Sequence, residues 1–245
     1  MRKLKDFILA ADRLIGISFF TSQSRASNVL KDIVFSVLYR LARDFNSISG
    51  TVKLSFSANN KKLELRNRSN SDYAQYSSGY ELDDIPTEFK TIIDENKKVI
   101  EEYVGKQFLY EKPLVFRNYN FDEVFCCYDI YSNIWHQDSH DGNRLLKIFV
   151  LLHDTDDSHG PFHYLEFSFV KKYWSILKDR YSFNSMKNLA QFEEQTKIIG
   201  KAGNYVILDT SRCSHRASIP KEFRDMMNIT LYPKWRKSSN RYKYP

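Results

Sequence analysis

The chain of 245 residues reads as a mainly β protein, a sandwich or barrel with helices packed on its outside. Three observations predict this. From about residue 107 onward, short apolar or alternating runs recur between turn residues, the pattern of many short strands. Before that point, apolar residues recur at helical spacing. Hydrophobic residues make up 42% of the chain, aromatics 15% and charged residues 27%, enough for one sizeable core. The expected organisation is one domain: residues 1–106 as N-terminal helices and a β-hairpin, packed on a strand-rich core at 107–245.

In order along the chain, Leu4, Phe7, Ile8, Ala11, Leu14 and Ile15 share one helical face. Asp12 and Arg13 interrupt the apolar run, so the segment does not read as a signal peptide, and no uncharged stretch is long enough to span a membrane. With Arg2, Lys3 and Lys5, residues 2–20 are the candidate for peripheral membrane contact. Ser27 can cap a helix to about residue 43, with Val29, Leu30, Ile33, Val34, Val37, Leu38 and Leu41 buried. The period then changes. Residues 51–57 and 62–66 alternate around Asn59-Asn60, which predicts a hairpin. Residues 68–80 are polar and read as a loop. Asp84 and Pro86 open a helix that Gly105 closes, burying Phe89, Ile92, Ile93, Ile100 and Tyr103. Strands are expected near 108–117, 124–131, 145–153, 162–166, 205–208 and 226–232, with helices near 169–180 and 184–193.

The balance of 37 basic and 30 acidic residues, net +7, favours a small anionic partner. Neither a nucleic-acid motif nor a dense Arg/Lys stripe accompanies it, which argues against nucleic acid. Three cysteines cannot form a disulfide framework, and a reducing, cytoplasmic setting fits them.

Five of the six histidines fall between residues 136 and 163, and His215 stands apart. His136-Gln137-Asp138 is the informative triplet. On an extended strand, residues i and i+2 face the same way, so imidazole and carboxylate converge on one point. A distant histidine can complete a face of two histidines and one carboxylate, a set that suits non-haem Fe(II) with open positions. His215 follows the strand YVILDT, and Arg224 comes nine residues later at the start of another strand. There Arg224, Met226, Asn228, Thr230 and Tyr232 share one face, suited to a barrel interior. Asp225, Met227, Ile229 and Leu231 share the other, suited to helix packing. An inward arginine offers a bidentate fork for a carboxylate.

The stretch WHQDSHDGNRLLKIFVLLHDTDDSHGPFHYL, then GNYVILDTSRCSHRAS and Arg224, resembles the phytanoyl-CoA dioxygenase-like family across roughly 107–233. The resemblance implies a double-stranded β-helix, a jelly-roll or cupin-like fold, with Fe(II), 2-oxoglutarate as cosubstrate and O2. By that likeness His136, Asp138 and His215 are the metal ligands and catalytic centre, and Arg224 clamps the distal carboxylate of 2-oxoglutarate. Gly160-Pro161 resembles the turn after the family's acidic segment. The Pro-Gly-Ser-His motif is absent here, where the chain reads PFHYLEFSF. Ala217 stands where the family tends to carry a small hydroxyl residue, with Ser218 one position later. Because Asp138 keeps the carboxylate that related halogenases lack, the implied reaction is hydroxylation. The expected substrate is a small organic molecule, anionic and sugar- or lipid-related. The alternative is a non-catalytic jelly-roll module that binds metal or ligand and associates with a membrane. A zinc hydrolase could also use the three ligands but would leave Arg224 without a role.

Lys147 lies within LLKIFVLLH on the face of Leu145, Phe149 and Leu151. A lysine in a buried strand needs a partner, so it is expected to point into the barrel and meet an anion, 2-oxoglutarate or substrate. Trp135 should pack the pocket wall, and Tyr128, Tyr131 and Asn133 precede it on the chain. Arg212 or Arg216 could meet an anionic substrate. His140, His153, His159 and His163 are not expected to bind metal. Cys126 and Cys127 read as packing residues, while Cys213, two before His215, is open to oxidation.

Overall fold

The computed structural model describes residues 45–64, 77–120, 135–138, 145–166, 168, 195–234 and 239–245. The expected helices at 7–20, 27–43, 169–180 and 184–193, the strand at 124–131, and His140, Cys126 and Cys127 lie outside these residues. So does the proposed membrane-contacting segment. Among the described residues no helix is long and apolar enough to cross a membrane.

Two sheets form the body. The larger has the order β1 (Ile48–Thr51), β8 (Asn204–Leu208), β5 (Leu146–Leu151) and β10 (Phe223–Tyr232). The far edge of β10 is shared by β4 (Leu114–Tyr119) on its first half and β3 (Leu109–Glu111) on its second. Outside these lie β2 (Ser77–Glu81) on β4 and β11 (Arg241–Lys243) on β3. The smaller sheet runs β7 (Thr196–Ile198), β6 (Phe162–Tyr164), β9 (His215–Ala217), and a bridge from His136 to His215 extends it. All the strand pairs within the sheets are antiparallel, and the interleaved order is that of a jelly roll.

Register sorts the side chains between the faces. Lys147 lies opposite Leu208 and Thr230, Phe149 opposite Val206 and Asn228, and Arg224 opposite Asn118. These residues face the smaller sheet, where Phe149, Leu151, Phe162, Val206, Leu208 and Met226 pack with Trp135. The opposite face carries Ile148, Val150, Ile207, Met227, Ile229 and Leu231. It packs against Phe89, Ile92, Ile93 and Ile100 of α2 (Thr87–Glu95) and α3 (Lys97–Val104). The two-faced reading of β10 therefore holds, with the aliphatic face under the helices. Burying each of these side chains fully stabilises the fold by about 1.5–3 kcal/mol.

The expected hairpin does not form over the described part, residues 51–64. Only 48–51 is a strand, and Asn60–Glu64 is a short helix, α1. Two side chains divert the backbone. The buried Glu88 carboxylate in the first turn of α2 accepts from the amides of Ser55 (2.6 Å) and Phe56 (2.7 Å), donors a ladder would need. Asn59 Oδ1 accepts from the Lys62 amide (3.2 Å), a capping bond that starts a helix. The loop expected up to residue 80 is a strand from Ser77, paired along β4. The helix opened at Pro86 breaks at Asn96, whose side chain donates to the Ile92 carbonyl (2.8 Å), and Gly105 closes the second part at φ 94°. Lys112-Pro113 splits the expected strand 108–117, because proline offers no ladder donor.

Candidate metal centre

His136 and His215 exchange both backbone hydrogen bonds, at 2.9 Å each. Directly opposed residues present their side chains to the same face, and here the two imidazole centroids lie 4.2 Å apart. The Asp138 amide donates to the Thr210 carbonyl (2.8 Å), tying the carboxylate's backbone to the turn that precedes His215. His136 Nε2 lies 3.9 Å from Asp138 Oδ1, and His215 Nε2 lies 3.7 Å from Oδ2. One ligand atom from each residue falls within 4.8 Å of the others, and all three side chains are buried. Among the described residues no other group of three or more His, Cys, Asp or Glu side chains could hold an ion.

The donor chemistry fits a divalent metal. His215 Nδ1 lies 3.1 Å from the Cys213 carbonyl. A carbonyl only accepts, so Nδ1 carries the proton and Nε2 turns its lone pair toward Asp138. Burial, with the His136 imidazole beside it, pushes the His215 pKa down to about 3, so the ring is neutral as a ligand must be. Burial acts to raise the Asp138 carboxyl, but the Lys147 ammonium and His215 outweigh it and hold the group well below the usual carboxylate range. Phe162 stacks on the His215 ring at 5.3 Å and 21°, and Phe149 packs on Phe162 at 4.6 Å, which keeps one side of the site dry.

Lys147 does point into the barrel. The anion it meets is Asp138, Nζ to Oδ2 at 2.7 Å. Arg224, 1% exposed, donates to Asn118 Oδ1 (2.6 Å) and to the Ser218 carbonyl (3.3 Å). It faces the interior further along β10 from the Thr230–Lys147 pair. Ser218, next to the position where a small hydroxyl residue was missing, bonds through its hydroxyl to His163 Nε2 (2.7 Å). Trp135 is buried in the cluster that includes Phe149 and Phe162.

The two flanking arginines contact protein groups. Arg212 is buried, with Nη1 3.0 Å from the Tyr103 hydroxyl and Nε 3.8 Å from Asp209. Arg216 points to the other face of β9 from His215 and lies over the Trp135 ring at 5.3 Å. His153, His159 and His163 stay out of the cluster. They bond to the Asp225 amide, to Asp156, and to Gln195 and Ser218, respectively.

The support around the ligands was not legible beforehand. Asp209 accepts from the Tyr103 hydroxyl and from the Ser211 amide (2.8 Å), and the Gln137 side chain donates to the Arg212 carbonyl (2.7 Å). The buried 209–213 turn is thus tied to α3 on one side and to the residue between His136 and Asp138 on the other. The only sequence signal for it is a carboxylate ending the apolar strand YVILD.

No family model and no curated protein sequence matches this chain significantly. Solved structures resemble it at low identity. EctD from S. alaskensis, with 2-oxoglutarate and 5-hydroxyectoine, is 16% identical over 80% of this chain and 74% of that one, at a TM-score of 0.49. HygX from Streptomyces hygroscopicus, with nickel, 2-oxoglutarate and hygromycin B bound, is 13% identical over 65% and 71%, at 0.40. The non-heme monooxygenase ThoJ, in a nickel complex, is 16% identical over 56% and 49%, at 0.34. These are distant, partial likenesses, and the chemistry proposed below stands on this chain's own side chains.

Proposed function

We propose that the protein is a non-haem Fe(II)- and 2-oxoglutarate-dependent dioxygenase that hydroxylates a small organic molecule. One observation carries the reading: two imidazoles and one carboxylate bring their ligating atoms together at one buried point inside a jelly roll. The same interior face holds a buried arginine. Three protein ligands leave positions open for a cosubstrate and O2. His136, Asp138 and His215 would hold the metal. The bound metal would supply the oxidising chemistry, with 2-oxoglutarate as the source of electrons.

The protein's own groups have separable tasks. The Cys213 carbonyl fixes the His215 tautomer. Lys147 holds one oxygen of Asp138, leaving the other free to ligate. Arg224 would receive the distal carboxylate of 2-oxoglutarate, with Asn118 bracing the guanidinium fork. Phe149 and Phe162 exclude water. With its carboxylate in place at Asp138, the site suits hydroxylation.

The experiment is formation of succinate from 2-oxoglutarate under air. It should require Fe(II) and be lost in His136→Ala and Asp138→Ala. Succinate formation that survives both substitutions contradicts the proposal.

A further inference from the structure

A cavity of about 370 Å3 opens on the same interior face at the end where Lys147 stands. That is at the small end of the range ligand pockets take, about 300–1,000 Å3. Its walls include Lys147, Asn228, Thr230, Leu114, Glu81 and Glu111. Register places the first four on the interior face: Thr230 opposite Lys147, and Leu114 opposite Asn228, with Glu81 beside Leu114. Lys147 therefore borders both this cavity and the candidate metal centre, reaching Asp138 at 2.7 Å.

Most of the cavity's side chains are polar. Among the described residues the Asn228 amide and the Thr230 hydroxyl bond to no protein group, although Thr230 is buried and Asn228 half-buried. Both groups are therefore open to a ligand that enters the cavity. An acyl chain would desolvate them without replacing a single bond. The carboxylates of Glu81 and Glu111 stand on the wall, and its two lysines are engaged, Lys147 by Asp138 and Lys112 by Asp83 (2.7 Å each). A strong anion gains little there.

The geometry points to this cavity as the substrate site, built for an uncharged, hydroxyl-bearing molecule of monosaccharide size. This rests on the oxygenase reading and narrows its substrate from anionic or lipid-like to sugar-like. Asn228, both donor and acceptor, and Thr230 would take the ligand's hydroxyls beside Lys147, whose ammonium reaches Asp138.

Saturation-transfer NMR on the protein loaded with Zn(II) and 2-oxoglutarate tests this, with methyl glucoside, glucuronate and decanoate as probes at millimolar concentration. Methyl glucoside should receive the strongest transfer. Asn228→Leu should weaken its binding by about tenfold, and the near-isosteric Thr230→Val by a few-fold, roughly what one lost hydrogen bond gives. Preferred binding of decanoate or glucuronate overturns the inference. So does the absence of glucoside transfer, or transfer indifferent to both substitutions, in protein that has taken up metal and 2-oxoglutarate. If the glucoside binds in an Asn228-dependent way while the protein takes up neither metal nor 2-oxoglutarate, the pocket stands and the oxygenase reading falls.

Discussion

Replacing Lys147 with methionine keeps most of the side-chain volume and removes the ammonium 2.7 Å from Asp138. The Asp138 side chain is 5% exposed and that of Lys147 is 20% exposed. Breaking a buried pair by deleting one partner costs about 3–5 kcal/mol, because the other charge is left without compensation. Lys147 retains some solvent, so the low end of that range applies, about 3 kcal/mol. For a chain of this length each kcal/mol shifts the melting temperature by about 2–4 °C, so metal-free Lys147→Met should melt about 6–12 °C below the parent. A divalent ion between His136, Asp138 and His215 would supply the missing positive charge. Adding Mn(II) or Zn(II) should therefore raise the variant's melting temperature more than the parent's, closing at least half the gap. Differential scanning calorimetry with and without a chelator measures both quantities. A metal-free variant that melts within about 2 °C of the parent would refute the buried-pair argument. A gap that metal leaves untouched would refute the assignment of Asp138 as a ligand.

Further outcomes follow from other parts of the site. Asp209→Asn weakens the acceptor that the Tyr103 hydroxyl and the Ser211 amide use and should cost about 1–3 kcal/mol in urea unfolding. It should also weaken Co(II) binding by about 10–100-fold, because the 209–213 turn sets the His215 ring, and unchanged cobalt affinity would count against that role. His163 should make stability depend on pH. Burial, then Arg216, pushes its pKa down to about 4, whereas in the unfolded chain it titrates near about 6.5. The unfolded state then binds the extra proton, so stability is complete above about pH 7 and declines as pH falls from about 6.5 toward 4, by at most about 3 kcal/mol. His163→Gln should flatten that part of the urea-midpoint profile, and an unaltered profile would exclude His163 as its source. Gly160→Ala should lower stability by at least about 1–3 kcal/mol. Gly160 sits at φ 62°, and a Cβ there would come within 2.4 Å of the Pro220 nitrogen and 2.5 Å of the Ser218 carbonyl. Normal stability in thermal unfolding would contradict this.

What could be read from the residues alone was whatever depends on local period. The parity of β10 separated Arg224, Asn228 and Thr230 from Met227, Ile229 and Leu231, and packing respects that division. The i, i+2 spacing anticipated that His136 and Asp138 converge, although only His136 pairs, in a single bridge to His215. The short alternating run at 62–66 misled, because bonds from side chains distant in sequence or outside the run decided the outcome. Glu88 captures two amides some thirty residues earlier, and Asn59 caps a helix. The partner of Lys147 was legible only as an anion, since only the folded chain brings Asp138 to it. Asn118 became a brace for Arg224 through strand register, which no pattern within 114–119 encodes. Tyr103 looked like one more apolar position on a helix face, and only the folded chain puts its hydroxyl on Asp209.

The central claim is that this site holds iron and 2-oxoglutarate together. The most direct measurement is an anaerobic titration of metal-free protein with Fe(II) and then 2-oxoglutarate, watching for the visible charge-transfer band of the chelated cosubstrate. The account predicts a band that saturates at one equivalent of each, disappears in His136→Ala and needs much more 2-oxoglutarate in Arg224→Ala. Iron that binds stoichiometrically without any band on adding 2-oxoglutarate would contradict it, and would favour a module that binds metal without performing this chemistry.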